Sequence, residues 1–151
     1  EDITDVFLTH LHFDHCGAAV KKEEDGSLVP AFPRAKYWTN RTHWATATKP
    51  NAREAASFLK ENILPLEEAC VLRFFEGADG DEWLDDFRVR LVSGHTDAMM
   101  LPQIRYNGRT ILYCADLIPS AAHVSLPWVM AYDMQPLLTL EEKARILKEA
   151  V

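Results

Sequence analysis

Thr9-His10-Leu11-His12-Phe13-Asp14-His15 decides how this chain is read. The pattern is H-x-H-x-D-H, and it gathers three of the six histidines of the sequence within six residues. From this composition such a match arises by chance in about one of 1,500 chains of this length, so a specific cause is called for. The segment leaves a short apolar run, Val6-Phe7-Leu8-Thr9, which reads as a buried strand. Residues i and i+2 of an extended segment project to the same side, so His10 and His12 can grip one cation. Where the chain turns toward a helix, Asp14 and His15 are re-aimed and can reach a second. Imidazole and carboxylate ligands suit zinc, and also iron, manganese or nickel.

Working outward, the three cysteines form no C-x-x-C pair of the kind closed structural zinc sites recruit. Cys16 abuts the histidines and stays open as a minor ligand candidate, whereas Cys70 and Cys114 sit in apolar runs and read as buried thiols. Asp25-Gly26 marks a turn between two extended segments, and Lys36 to Thr39 reads as a strand. Residues 42–62 look helical with a break at Pro50. Asn51 is placed to cap the second part, whose apolar stripe includes Ala55, Phe58 and Leu59. Val71 to Phe75 reads as a strand, followed by a turn at Gly77-Ala78-Asp79-Gly80. Phe87 to Val92 alternates with the period of a half-buried strand. Leu101 to Tyr106 and Arg109 to Ala115 flank Asn107-Gly108, a hairpin signal that favours a type I′ turn. Thr139-x-x-Glu142 has the form of a capping box opening the last helix. Strands alternating with helices predict a mixed α/β architecture.

Two further residues fit metal chemistry. His95 lies in Ser93-Gly94-His95-Thr96, just past the alternating strand, where Gly94 lets the backbone bend. Asp116 ends the apolar run Tyr113-Cys114-Ala115-Asp116, and a carboxylate there is costly unless paired or metal-bound. Both follow strand ends, as His10 does.

In these three elements and their order, the sequence resembles the metallo-β-lactamase superfamily. The resemblance implies an α/β fold, an αββα sandwich, with a dinuclear site at one edge of its sheets. Carried over residue by residue, His10, His12 and His95 would hold one metal, Asp14 and His15 the other, and Asp116 would bridge them. Aspartate at the bridging position is similar to the glyoxalase II and lactonase branches. The implied activity is a metal-dependent hydrolase using a metal-bridging hydroxide on an ester, lactone or thioester, with Asp14 as the catalytic carboxylate. The implied cofactors are two divalent ions, zinc first, iron or manganese as alternatives. Lactonases of the family place a tyrosine three residues after the bridging aspartate, where this chain has Pro119; Tyr132 is the substitute to consider. The family also calls for one more histidine on a later strand. His123 comes only seven residues after Asp116, so the missing ligand is expected beyond Val151 and His123 is read as a pocket-lining or supporting residue, with a core or loop histidine and a substitute ligand as the alternatives. His43 is read as structural. Phe13 and Trp128, with Met99, Met100, Leu126 and Met130, are candidates for an apolar substrate wall, ordinary core being the alternative.

Composition bounds these readings. The chain has 151 residues, 48% of them hydrophobic, and a formal charge of -7. That mix excludes a disordered tail or a disulfide miniprotein, and the acidic balance argues against nucleic-acid or anionic-membrane partners. A small-molecule substrate in the cytoplasm is expected, with homo-oligomerisation left open. Residue 1 is Glu, and the final residues, LEEKARILKEAV, stop inside a helical pattern. Residues 1–151 are therefore expected to be the central part of a single metallo-β-lactamase-like domain, poorly folded and inactive by itself. The rival functions are an iron-containing redox or sulfur-chemistry enzyme on the same scaffold, and a non-catalytic metal-binding subunit.

Overall fold

Parallel pairing of short apolar segments organises the first part of the chain. In the computed structural model, which describes residues 2–150, two compact units are found, Glu1–Glu76 and Gly77–Val151. In the first, β1 (Asp5–Phe7) is followed by a one-turn helix α1 (Phe13–Cys16), the hairpin β2 (Val20–Lys22) and β3 (Leu28–Pro30), and β4 (Lys36–Thr39). Helices α2 (Arg41–Thr48) and α3 (Lys60–Glu68) then lead to β5 (Leu72–Phe74). β4 is the central strand of a parallel sheet ordered β1-β4-β5, with Val6 opposite Tyr37 and Trp38 opposite Arg73. Tyr37 and Thr39 are its buried positions. The expected strand at Val6 to Thr9 is shorter and less buried than its composition suggests, because β1 lies at the sheet edge. Pairing still carries to Leu8, whose N–H donates to Trp38 O at 3.0 Å.

The Asp25-Gly26 turn forms as expected, with Gly26 at φ 88° and Ser27 N donating to Asp25 Oδ1. α2 is capped by Asn40, whose side chain accepts from His43 N, and it ends before Pro50. The expected continuation of helix from Asn51 does not occur. Asn51 instead closes a turn, its Oδ1 accepting from Arg53 N at 2.9 Å and Glu54 N at 3.1 Å. A single 3-10 turn follows, and helix resumes only at Lys60. Local side-chain bonding of this kind competes with helix, which is why an asparagine that reads as a cap can start a turn instead. Ile63 and Leu66 of α3 join Leu8, Leu11, Cys16, Tyr37 and Phe58 in the core of this unit. Burial of each such aliphatic side chain contributes about 1.5–3 kcal/mol. Cys70 is exposed, contrary to the reading from its apolar neighbours, because it sits past the end of α3 at φ 56°. Cys114 is half-buried.

The second unit is an antiparallel meander, β6 (Glu82–Leu84), β7 (Phe87–Val92), β8 (Met99–Tyr106) and β9 (Arg109–Leu112), closed by helix α4 (Pro136–Glu149). Asn107 and Gly108 have φ of 49° and 71°, the two positive values a type I′ turn requires. Val92, Met99 and Leu101 pack with Ile146 of α4 and with Ala115 and Leu117. α4 opens four residues earlier than the capping-box reading placed it, with Gln135 rather than Thr139 at the N-cap and Pro136 in its first turn. Thr139 is therefore inside the helix and bonds back to Gln135 O, while Glu142 reaches away to another segment. Among the described residues no helix is long and apolar enough to cross a membrane.

β7 departs from plain alternation at Arg90, which is 8% exposed on the face that packs against α4. Its charge is met on both sides: Nε donates to Asp79 Oδ1 at 3.0 Å and a guanidinium nitrogen to Glu149 at 2.5 Å. Arg145 donates to the other Asp79 oxygen at 2.7 Å. Partial burial pushes the Asp79 carboxyl up, but bonds from Arg90 and Leu91 N–H and the two arginine charges outweigh this and hold it below the usual aspartate range. A depressed folded pKa gives stability that is present above the unfolded value and lost as pH falls through the folded one. The stability gap between wild type and Asp79→Asn, followed by denaturant unfolding, should be widest near neutrality and shrink as pH drops below the unperturbed value of about 3.9. A gap independent of pH would show that the ion pairs contribute nothing.

Candidate functional site

The His10–His15 segment starts in the loop after β1 and runs into α1, so His10, Leu11 and His12 lie outside any regular hydrogen-bond ladder. Its backbone therefore needs other partners. Leu11 N donates to His43 Nε2 at 2.8 Å, the Cys16 thiol donates to Leu11 O, and His15 N and Cys16 N both donate to His12 O at 3.0 Å. So fixed, the segment brings three imidazoles together. The His10 ring centroid is 4.7 Å from that of His12, nearly edge-on, and 4.0 Å from that of His15. One ligand nitrogen of His10 lies within 4.8 Å of one of His12, and likewise of one of His15. Asp14 is exposed at the start of α1, with Oδ2 3.5 Å from His15 Nε2. Three imidazoles and a carboxylate are the donors that zinc, iron or manganese takes, and the segment fits such an ion.

His43 is buried and structural, as its place on a helix suggested. Cys16 is also buried, and burial, then the Asp14 charge, pushes its thiol up to about 12. Its thiol serves here as the hydrogen-bond donor to Leu11 O. A partner absent from the sequence reading is Glu54, which accepts from His12 Nε2 at 3.0 Å while 2% exposed.

In the second unit, His95 follows β7 in the loop to β8 and is 1% exposed. Its Nδ1 is 3.0 Å from Asp133 Oδ1 and its Nε2 is 3.4 Å from Asp116 Oδ2. Asp116 sits in a single 3-10 turn beyond β9 rather than at the strand's last residue. Gly94 matters here for space rather than for a bend, since its φ is not among the positive ones. A Cβ on Gly94 would fall 2.5 Å from Thr139 N and 2.6 Å from Thr139 Cα. That approach lets Glu142 accept from Ser93 N at 2.7 Å and Gly94 N at 2.9 Å. Burial, against these two bonds, raises the Glu142 carboxyl.

The remaining candidates are placed as follows. His123 is half-buried in a 3-10 turn, its Nδ1 2.8 Å from Ser120 Oγ. Trp128, Leu126 and Phe13 are exposed, whereas Met99 and Met100 are fully buried and belong to the core. Tyr132 is exposed, with its ring edge-on 6.1 Å from that of His95. Lys143 of α4, fully buried, donates to the carbonyls of His123, Ser125 and Trp128 at 2.9, 2.9 and 2.6 Å and so shapes the loop that carries them. Asp133 escaped the sequence reading although it is the lone carboxylate of Val129-Met130-Ala131-Tyr132-Asp133-Met134, the same signal that marked Asp116. No comparable signal marks Glu54.

The profile of the metallo-beta-lactamase superfamily matches residues 1–150, and the chain belongs to that family. Its mixed α/β fold is of the metallo-β-lactamase type. A probable metal-dependent hydrolase from Staphylococcus aureus is 26% identical with a TM-score of 0.84, covering 99% of this chain and 51% of its own. AidC, a dizinc quorum-quenching lactonase in complex with a product, is 21% identical with a TM-score of 0.74, covering 98% and 53%. Bacillus thuringiensis AiiA, solved with N-decanoyl-L-homoserine at its active site, is 20% identical with a TM-score of 0.71, covering 98% and 51%. The chain thus spans about half the length of these proteins. No curated protein matches it.

The His43 contact has a measurable weight. Leaving a buried N–H without its acceptor costs about 1–3 kcal/mol, so His43→Ala should lower the unfolding free energy by at least that amount. His43→Gln, which keeps an acceptor on the side chain, should recover part of it. Equal stability of all three proteins in denaturant titrations would remove the contact from the account.

Proposed function

We propose that this protein acts as a metal-dependent hydrolase on an ester, lactone or thioester of a small molecule in the cytoplasm. The observation that carries the reading is the packing of His10, His12 and His15, with centroids 4.0 and 4.7 Å apart, beside Asp14. Family membership supports it. The ligands in this reading are His10, His12, Asp14, His15, His95 and Asp116, for two divalent ions, zinc by preference. When bound, such ions supply Lewis acidity and a nucleophile from water at neutral pH.

The chain's own residues supply the rest. Asp14, exposed beside His15, offers a carboxylate oxygen that can orient the attacking water and take its proton. The buried carboxylates Glu54 and Asp133 orient His12 and His95. Phe13 and Trp128 present exposed aromatic surface for the apolar part of a substrate. With Pro119 at the lactonase position, Tyr132, whose ring is edge-on to His95, is in this reading the hydroxyl that binds a substrate oxygen. Preference for a carbonyl centre rests on the aspartate at position 116 and on the lactonases among the similar folds.

In the full chain, His12→Ala should lose bound metal and reduce hydrolysis to background together. Metal content by elemental analysis and turnover on a panel of lactones, thioesters and phosphodiesters measure both. Undiminished hydrolysis after exhaustive chelation would defeat the metal reading. Turnover of phosphodiesters alone would overturn the carbonyl preference.

A further inference from the structure

Two buried carboxylates sit against opposite nitrogens of two histidines. Glu54 Oε1 is 3.0 Å from His12 Nε2, and Asp133 Oδ1 is 3.0 Å from His95 Nδ1. Glu54 and Asp133 are 2% and 1% exposed, and burying a carboxylate to that degree is costly unless its bonds matter. An ionised carboxylate accepts and does not donate, so in each pair the ring nitrogen carries the proton.

Both carboxylates are themselves held in place. Asn51 Oδ1 accepts from Arg53 N and Glu54 N, which turns its amide nitrogen toward Glu54 Oε2 at 3.2 Å. Glu54 therefore faces a fixed donor on one oxygen and His12 on the other. Asp133 is positioned by backbone lacing: Met134 N donates to His95 O at 3.1 Å and Gln135 N to Gly94 O at 2.8 Å. On the far side of the His95 ring, Nε2 faces Asp116 Oδ2 at 3.4 Å.

We propose that Glu54 and Asp133 are positioning residues that fix opposite tautomers of two metal-binding histidines. Glu54 keeps the proton of His12 on Nε2 and leaves Nδ1 as the ligand atom. Asp133 keeps the proton of His95 on Nδ1 and leaves Nε2, the nitrogen that faces Asp116. The assignment rests on the metal reading proposed above. Carboxylates that hold ligand histidines in this way are worth about 10–100-fold in metal affinity. Glu54→Gln is the sharp variant. Asn51 presents a donor, so the new amide turns its oxygen there and its NH2 toward His12, which then favours the tautomer with the proton on Nδ1.

Long-range proton–nitrogen NMR of the metal-free full chain should show His12 protonated on Nε2 and His95 on Nδ1. Glu54→Gln should move His12 alone to the Nδ1 form. Zinc affinity, measured by competition with a chelating indicator, should fall about 10–100-fold in Glu54→Gln and in Asp133→Ala. If either variant fails to fold, the two wild-type tautomers decide. Identical tautomers for His12 and His95, or unchanged zinc affinity in a folded Glu54→Gln protein, would overturn the proposal alone. Failure of the wild type to bind zinc, iron or manganese would instead overturn the metal reading, and the role of the carboxylates with it.

Discussion

The hydrogen bond from Leu11 N to His43 Nε2 holds the segment that carries His10, His12 and His15. Leu11 stands between His10 and His12, beyond the last pairing of β1, and its buried N–H has no strand to join. The acceptor comes from α2, whose first turn is set by the Asn40 cap on His43 N. A helix cap thus fixes an imidazole, the imidazole fixes a backbone amide, and the amide sets the direction of the side chains on either side. One histidine is spent on structure, and the three imidazoles of the segment it fastens are held close together.

The second unit solves a like problem with a carboxylate. Ser93 N and Gly94 N, in the loop before His95, are both taken by Glu142 of α4. This works only because Gly94 has no side chain to hold Thr139 away. In both units a loop that presents histidines is fastened by a side chain distant in sequence, and the rigidity of the helix behind it is passed to the loop.

Much of this was legible in the sequence where cause and effect are close along the chain. The H-x-H-x-D-H segment, the strands at Lys36 to Thr39 and Phe87 to Val92 and the Asn107-Gly108 hairpin all depend on neighbours within a few residues. Glu54 and Asp133 were not legible as partners, since they meet their histidines across 42 and 38 residues. Asn51 and the Thr139–Glu142 pair misled for a related reason. Each has the composition of a helix cap, but Asn51 is drawn into a tight turn and Glu142 into a bond with a separate loop. Cys70 shows that apolar neighbours do not guarantee burial once a left-handed residue ends a helix.

The buried ammonium of Lys143 has a wider meaning. Three carbonyls, from His123, Ser125 and Trp128, converge on it. Carbonyls grouped in this way elsewhere cage a monovalent ion drawn from the medium. Here the cation is an ammonium covalently tethered to a helix, so the loop closes on a charge that the chain itself supplies. The carbonyl cage is thus filled from within the chain rather than from the surroundings.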